Sequence, residues 1–230
     1  MPKYYYDLHI HSVFSPCADE LMTPNNILNM AVLKGLDFIA VTDHALAKQM
    51  PTFKKLVSSY DLVFIPGIEV TVKEGFHYLL YFKSIDDCIE ASDKLENYLP
   101  PIKTNRAQVI MNEYDEEISS YPYWVGTAIE LSANEVSDLL REFKPVRIMA
   151  HVNRIHASGI EYINKTVFDG IEIKLIDNKD QFIKTHDLKK HKILFNSDAH
   201  SIMNILERDE LNIIDLKDKS IKSFFEYFHG

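Results

Sequence analysis

The sequence is short of glycine, cysteine and positive charge, and each shortage removes a class of function. Seven glycines occur in 230 residues, and none of them fall into G-x-G-x-x-G or a P-loop. Backbone cradles of that kind for dinucleotides or nucleoside triphosphates are therefore absent. Cys17 and Cys88 are the only cysteines, too few for a disulfide framework or a Cys-based zinc ribbon, so a reduced, cytoplasmic compartment is expected. Lys and Arg number 25 against 34 Asp and Glu, a formal charge of −9. A chain this acidic is not built to hold DNA or RNA by bulk electrostatics, and anionic membranes are disfavoured on the same ground. No apolar run approaches the roughly 20 residues that cross a bilayer. The stretch Met1–Asp7 lacks the apolar centre of a signal peptide.

What is present is an ordinary globular composition, 46% hydrophobic and 26% charged, at a length that suits one domain over residues 1–230. Short apolar runs alternate with helical patterns, which predicts an α/β fold. Strands are expected at Tyr4–His11, Phe38–Thr42, Leu62–Ile65, Glu69–Val72, Tyr78–Phe82, Val146–His151, Gly170–Leu175 and Ile193–Asn196. Thr23 and Pro24 open a first helix that Gly35 ends. Ser132 and Glu135 write a capping box for another. Ile221, Phe224, Phe225 and Phe228 share one face of the last helix, an apolar stripe read as core. Residues 84–145 look different: a helical run, Pro100-Pro101, a short strand Gln108–Met111 and an acidic turn Glu113–Glu117, with no His–Asp cluster. They are read as a small α/β insertion.

Six of the ten histidines stand at the ends of apolar strands, while His156, His186, His191 and His229 lie off these clusters and read as surface residues. In Asp7-Leu8-His9-Ile10-His11, alternation puts Asp7, His9 and His11 on one face and Leu8 and Ile10 on the other. Two imidazoles side by side on a strand can converge on one cation, where a single histidine would read as a hydrogen-bonded surface residue. Asp43-His44 follows Phe38–Thr42, His151 ends Val146–Ala150, and Asp198 and His200 follow Ile193–Asn196. Glu69 follows Pro66-Gly67-Ile68, and His77 precedes Tyr78–Leu80. Polar, ligand-type residues at the C-terminal ends of buried strands are where β/α barrels place chemistry.

Taken in order, Asp7–Ser12 (DLHIHS), Val41–His44 (VTDH), Pro66–Glu69 (PGIE), His77, Ala150–Arg154 (AHVNR) and Asn196–Ser201 (NSDAHS) resemble the motifs of the polymerase-and-histidinol-phosphatase (PHP) superfamily. The resemblance spans residues 4–83 and 146–201. It implies a distorted seven-stranded β/α barrel with a trinuclear metal centre at the C-terminal strand ends. His9 and His11 would share a first metal with Glu69 and Asp198. Glu69 would bridge to a second, held by His77 and His151. His44, His200 and an acid of the first loop would hold a third. That acid stands four residues before a Thr-Pro in the family, which selects Asp19, with Glu20 as the fallback because the Ser15–Ala18 loop departs from the common pattern. Asp7 and Asp43 are expected to orient histidine N–H groups rather than to ligate.

Imidazole and carboxylate donors suit zinc, manganese or iron better than calcium, and the lack of thiolates argues against copper(I) and iron–sulfur chemistry. Clustered divalent ions lower the pKa of a bound water towards about 7 and neutralise phosphoryl oxygens. The expected activity is therefore metal-dependent hydrolysis of a small phosphomonoester, such as a nucleotide or sugar phosphate, by metal-bound hydroxide. Arg154, or His200, would assist the leaving group. Arg154 reads equally as a bidentate phosphate partner or an ordinary surface arginine; Arg106 is a weaker candidate of the same type. One alternative is a nuclease acting on oligonucleotide ends, which would need a local basic groove drawn from Lys48, Lys54, Lys55, Lys103 and Arg106. Another is a metal-binding module without catalysis. Nucleic acid is expected only as a short single-stranded substrate, and no membrane partner is expected.

Overall fold

The computed structural model describes residues 1–106, 108–156, 158–174 and 179–230. Its elements run β1 (Lys3–Ile10), α1 (Pro24–Leu33), β2 (Phe38–Val41), α2 (Met50–Leu56), β3 (Val63–Thr71), β4 (His77–Tyr81), α3 (Ile85–Glu96), β5 (Val109–Met111), β6 (Glu117–Ser120), α4 (Ala133–Leu139), β7 (Val146–Met149), β8 (Gly170–Glu172), α5 (Lys179–Thr185), β9 (Ile193–Leu194), β10 (Ile213–Asp215) and α6 (Ile221–His229). No helix among the described residues is long and apolar enough to cross a membrane.

Eight strands form one sheet in the order β10-β1-β2-β3-β4-β7-β8-β9. β1, β2 and β3 are parallel, as are β7, β8 and β9, while β4 runs antiparallel between the two sets. The sheet curls until its ends meet. Ile10 bridges to Ala199, and the His11 N–H donates to the Ala199 carbonyl at 2.9 Å. Residues just after β9 thus lie along the C-terminal half of β1, while β10 pairs antiparallel with its first residues, Lys3–Tyr5. The strand count and the antiparallel β4 depart from a uniform seven-stranded β/α alternation.

Alternation sorts the apolar side chains into two cores. Tyr6, Leu8, Phe38, Ala40, Ile65, Leu79, Tyr81 and Ile148 pack with Phe224, Phe225 and Phe228 of α6. Ile10, Ile39, Val41, Ile68, Val70 and Leu80 face the other way, against side chains of α1, α2 and α3. Leu8 and Ile10 therefore do not share a face as simple alternation predicts. The reason is a register shift between β1 and β2 at Asp7–Ile10, a bulge that re-aims the side chains around it.

The runs expected separately at Leu62–Ile65 and Glu69–Val72 are one strand, β3, which continues through Pro66-Gly67. A Cβ on Gly67 would lie 2.7 Å from Thr42 Cγ2 and 3.1 Å from the Leu80 carbonyl oxygen. Glycine lets β3 close against both neighbours two residues before Glu69. Gly67→Ala is expected to cost about 1–3 kcal/mol of stability through overpacking, read as a lower midpoint in chemical denaturation; an unchanged midpoint would contradict this packing. The expected strand Gly170–Leu175 is observed as far as Glu172, and Leu175 lies outside the described residues.

Residues 84–145 contain α3, the β5–β6 hairpin and α4. The predicted capping box is present, with Ser132 and Glu135 each satisfying the other's backbone N–H. The hairpin docks through Gln49, whose amide makes paired bonds of 2.8 and 3.0 Å with the Met111 backbone. Asp115 accepts from Thr23 Oγ1 at 2.7 Å at the start of α1, a favourable place for a carboxylate. That end of α1 follows directly from the C-terminal end of β1, so the hairpin stands on the same side of the sheet as the histidines.

Candidate metal centre

Strand direction explains how scattered residues meet. His9 lies on β1 and His11 one residue beyond it, and His44, His151, Asp198 and His200 follow the ends of β2, β7 and β9. His77 opens β4, whose reversed direction brings its first residue opposite Thr71 at the end of β3. Glu69 lies two residues before that end.

Three groups of ligand-type atoms result: His9, His11 and Asp198; Glu69, His77 and His151; and His11, His44 and His200, each within 4.8 Å. His9 Nε2 is 3.2 Å from His11 Nε2 and 3.2 Å from Glu69 Oε1. Asp198 Oδ1 lies 3.5 and 3.4 Å from the same two nitrogens. Glu69 Oε1 also meets His77 Nδ1 at 2.8 Å and His151 Nε2 at 3.3 Å, so Glu69 stands between two groups.

The donor set fits divalent cations. His44 Nδ1 and Glu69 Oε2 are 3.1 Å apart and buried, yet neither has a hydrogen bond of acceptable geometry. Buried polar atoms left so are costly, and a cation between them removes the cost. The backbone adds strain at the same turns: Ala45, His151 and Asp198 all have positive φ, at 57°, 28° and 53°. Such conformations cost of order 1–3 kcal/mol each outside glycine and persist where surrounding structure holds them.

Partners beyond the groups hold the imidazoles in place. Asp43 accepts from Ser12 N–H at 2.7 Å and Ser15 Oγ at 2.7 Å, and Ser15 Oγ contacts His11 Nδ1 at 3.1 Å. Asp43 therefore reaches His11 through Ser15. Asp7 does not orient a histidine as expected. The β1 bulge turns it to Ser197, whose Oγ donates at 2.6 Å, and to the Leu206 N–H at 2.9 Å. The His9 partner is instead Glu172, with both carboxylate oxygens 3.1 and 3.0 Å from Nδ1. Glu172 is fully buried and also accepts from the His151 N–H at 3.1 Å and Asn196 Nδ2 at 2.7 Å. Sequence reasoning missed it, although an acid inside the apolar run Gly170–Ile173 was the available signal, since buried charges are almost always paired.

Asp19 joins none of the three groups. It is exposed, as is Glu20, and only its backbone takes part, donating to the His200 carbonyl at 2.8 Å. The turns of residues 12–22 bring that N–H, rather than the carboxylate, to the cluster. His11 completes the third group in its place. Arg154 lies at the site, with Nη1 donating to Asp198 Oδ2 at 2.9 Å, and Lys174, not anticipated, joins it at 3.2 Å. Arg106 is exposed over the Trp124 ring at 5.3 Å, on the segment before the hairpin. Of the five basic residues weighed for a nuclease groove, Lys48 pairs with Glu96 at 2.6 Å, Lys54 with Asp86 at 2.5 Å and Lys55 with Glu113 at 2.8 Å.

Electrostatics follow from this crowding. Burial opposes a charge on His9, yet Glu172, Glu69 and Asp198 raise its pKa well above the ordinary value. Burial likewise opposes a charge on His11, but its partners Asp198 and Glu69 raise it to about 9. Against burial, His77, His9 and His44 hold Glu69 well below the carboxylate range, and His9 and His11 do the same for Asp198. Burial lowers His44, and burial with the charge of His11 lowers His200 to about 4. The shift favours the neutral imidazole of His200 at pH 7, the form that ligates a cation. Without metal, the charge on His11 favours the fold most fully below its unfolded pKa of about 6.5, and that contribution is lost as pH rises through about 9. A cation must displace these protons. Metal binding at pH 7 is expected to release protons and to tighten as pH rises towards 9, measured by calorimetry in buffers of different ionisation enthalpy. A buffer-independent heat would contradict it.

The profile of the PHP domain matches residues 7–207. The chain belongs to the PHP family. Relatives and neighbours of this PHP chain are distant. An uncharacterized protein of Methanocaldococcus jannaschii is 27% identical over 190 residues, 78% of this chain and 24% of that protein. The lesion-specific endonuclease PfuEndoQ of Pyrococcus furiosus superposes with a TM-score of 0.69 at 22% identity, over 99% of this chain and 56% of its own. Endonuclease Q has also been solved with a 27-mer duplex carrying an abasic lesion at its active site. A Bifidobacterium adolescentis protein assigned as a metal-dependent phosphoesterase gives 0.57 at 17% identity, over 96% of this chain and 95% of its own. This PHP chain therefore spans about a quarter and about half of the first two proteins. At these identities the three solved structures speak to the fold alone.

Proposed function

We propose that this PHP domain is a metal-dependent phosphoesterase whose substrate is a small phosphomonoester, such as a nucleotide or sugar phosphate, and that it does so on three divalent ions of zinc, manganese or iron. The observation that carries the reading is the convergence of three groups of ligand-type atoms, two of imidazole with carboxylate and one of three imidazoles, around Glu69 and His11. His9, His11, Glu69 and Asp198 would hold one ion, Glu69, His77 and His151 a second, and His44 and His200 a third. Such ions supply an activated water at neutral pH and neutralise phosphoryl oxygens. Glu172 keeps His9 Nε2 aimed into the cluster by engaging Nδ1, and Asp43 does the same for His11 through Ser15. Arg154 stands at the edge to receive phosphoryl oxygens. A monoester is favoured because Lys48, Lys54 and Lys55 are paired with acids, leaving them little charge for a polynucleotide backbone. The same reading takes β1–β4 and β7–β9 as the seven strands of a distorted barrel, with β10 added beside β1, and residues 84–145 as an insertion.

A second reading, a nuclease, is favoured by one observation, the likeness to endonuclease Q over nearly the whole chain. Metal-loaded protein should be assayed on p-nitrophenyl phosphate, bis-p-nitrophenyl phosphate and a short single-stranded oligonucleotide. Fastest turnover of the monoester is expected. Preference for the oligonucleotide would transfer the site to the second reading, and no turnover with metal bound would leave a binding module.

A further inference from the structure

Asp198 faces two ways. Its Oδ1 looks into the cluster, 3.5 and 3.4 Å from His9 and His11 Nε2. Its Oδ2 takes Arg154 Nη1 at 2.9 Å and Lys174 Nζ at 3.2 Å. The carboxylate is 3% exposed, whereas the arginine and lysine side chains are 42% and 41% exposed. Two cations therefore share one carboxylate oxygen at the boundary between the buried cluster and solvent, an excess of positive charge among the described residues.

The pair is held together by construction. Arg154 follows the turn at His151, its N–H donating to the His151 carbonyl at 2.9 Å. The neighbouring Asn153 side chain makes both available bonds with the Lys174 backbone, accepting from its N–H at 2.9 Å and donating to its carbonyl at 3.0 Å. The loops after β7 and β8 are thereby fixed to each other, and with them the two cations. Beside Lys174 and Asp198 opens a cleft of about 230 Å³, also lined by Asn196, Ser197, Asn204 and Leu206. A divalent ion on Asp198 Oδ1 competes for the same carboxylate charge and weakens its hold on Arg154 and Lys174. An anion at Asp198 Oδ2 is then the better partner for both, and the cleft gives it a way in beside Lys174.

We propose that Lys174 and Arg154 form a substrate-binding pair that grips the phosphoryl oxygens, with Asp198 as their resting partner, and that Lys174 selects a dianionic terminal phosphate over a monoanionic diester. The proposal rests on the phosphoesterase reading and deepens it. Two cations gain more from a second negative charge than from one, so loss of Lys174 penalises monoesters selectively.

The test is Lys174→Met, with Lys174→Arg as the conservative variant, on metal-loaded full-length chain. KM for p-nitrophenyl phosphate and the inhibition constant of inorganic phosphate should each rise about tenfold in Lys174→Met, the loss expected for a charge-assisted bond. KM for bis-p-nitrophenyl phosphate should rise less, about threefold, because a monoanion gives half the Coulomb energy; bound metal should stay as in wild type, and Lys174→Arg should recover most of the loss. An equal loss on both esters, or a loss of metal, would show that Lys174 only supports Asp198 and would overturn the proposal. If wild type hydrolyses neither ester, the phosphoesterase reading fails by itself. Calorimetric binding of inorganic phosphate then decides the pair: weaker binding in Lys174→Met upholds it, and equal binding overturns it.

Discussion

Asp198→Asn is expected to lower phosphate-ester turnover on the order of 10³-fold or more while leaving the fold intact. The carboxylate joins His9 and His11 as ligand-type atoms and holds Arg154 and Lys174 through its other oxygen. Removing its charge weakens the hold on a cation that supplies several kcal/mol of transition-state stabilisation, and each 1.4 kcal/mol is about tenfold in rate. Asparagine is the informative substitution because Asp198 has φ 53°, a left-handed conformation that asparagine tolerates and alanine does not. Turnover near wild type in Asp198→Asn, with thermal unfolding unchanged, would remove the proposed site. His9→Ala should give the same loss from the opposite side of the group.

Glu172→Gln should act one step further out, lowering metal affinity about 10–100-fold, the usual cost of losing a partner that orients a metal-bound histidine. The carboxylate accepts from three donors, His9 Nδ1, the His151 N–H and Asn196 Nδ2. A glutamine amide has one accepting oxygen, so its NH₂ must face at least one of those donors. His9 loses its fixed tautomer and the negative charge that balances it. Metal titration by calorimetry reads the loss, and excess metal should restore much of the turnover. Unchanged affinity would show that Glu172 serves packing alone.

Legibility of the site in the sequence followed residue chemistry. His9, His11, His44, Glu69, His77, His151, Asp198 and His200 could be read because few other roles put such residues at the ends of apolar strands, and the structure brings all eight together. Asp19 was selected as a ligand by its distance from Thr23-Pro24, but a loop of turns decides whether a carboxylate or its backbone N–H reaches the cluster, and here it is the N–H. Asp7 was misassigned because alternation cannot anticipate a bulge, which depends on pairing with β2. β10, Ile213–Asp215, went unseen since three residues carry no period and its pairing is supplied by β1. Lys174 reads as an ordinary surface lysine until Asn153 ties its loop to Arg154. The α6 stripe was legible in full: Phe224, Phe225 and Phe228 are core, as helical spacing requires.

The most direct test of the account is to strip the protein with a chelator, reload it stepwise with manganese, zinc or iron, and follow p-nitrophenyl phosphate hydrolysis against metal bound per chain. The account predicts no turnover in the stripped protein and a rate that climbs with occupancy of the His9, Glu69 and Asp198 cluster. Full turnover by the stripped protein, or none by the fully loaded one, would contradict it.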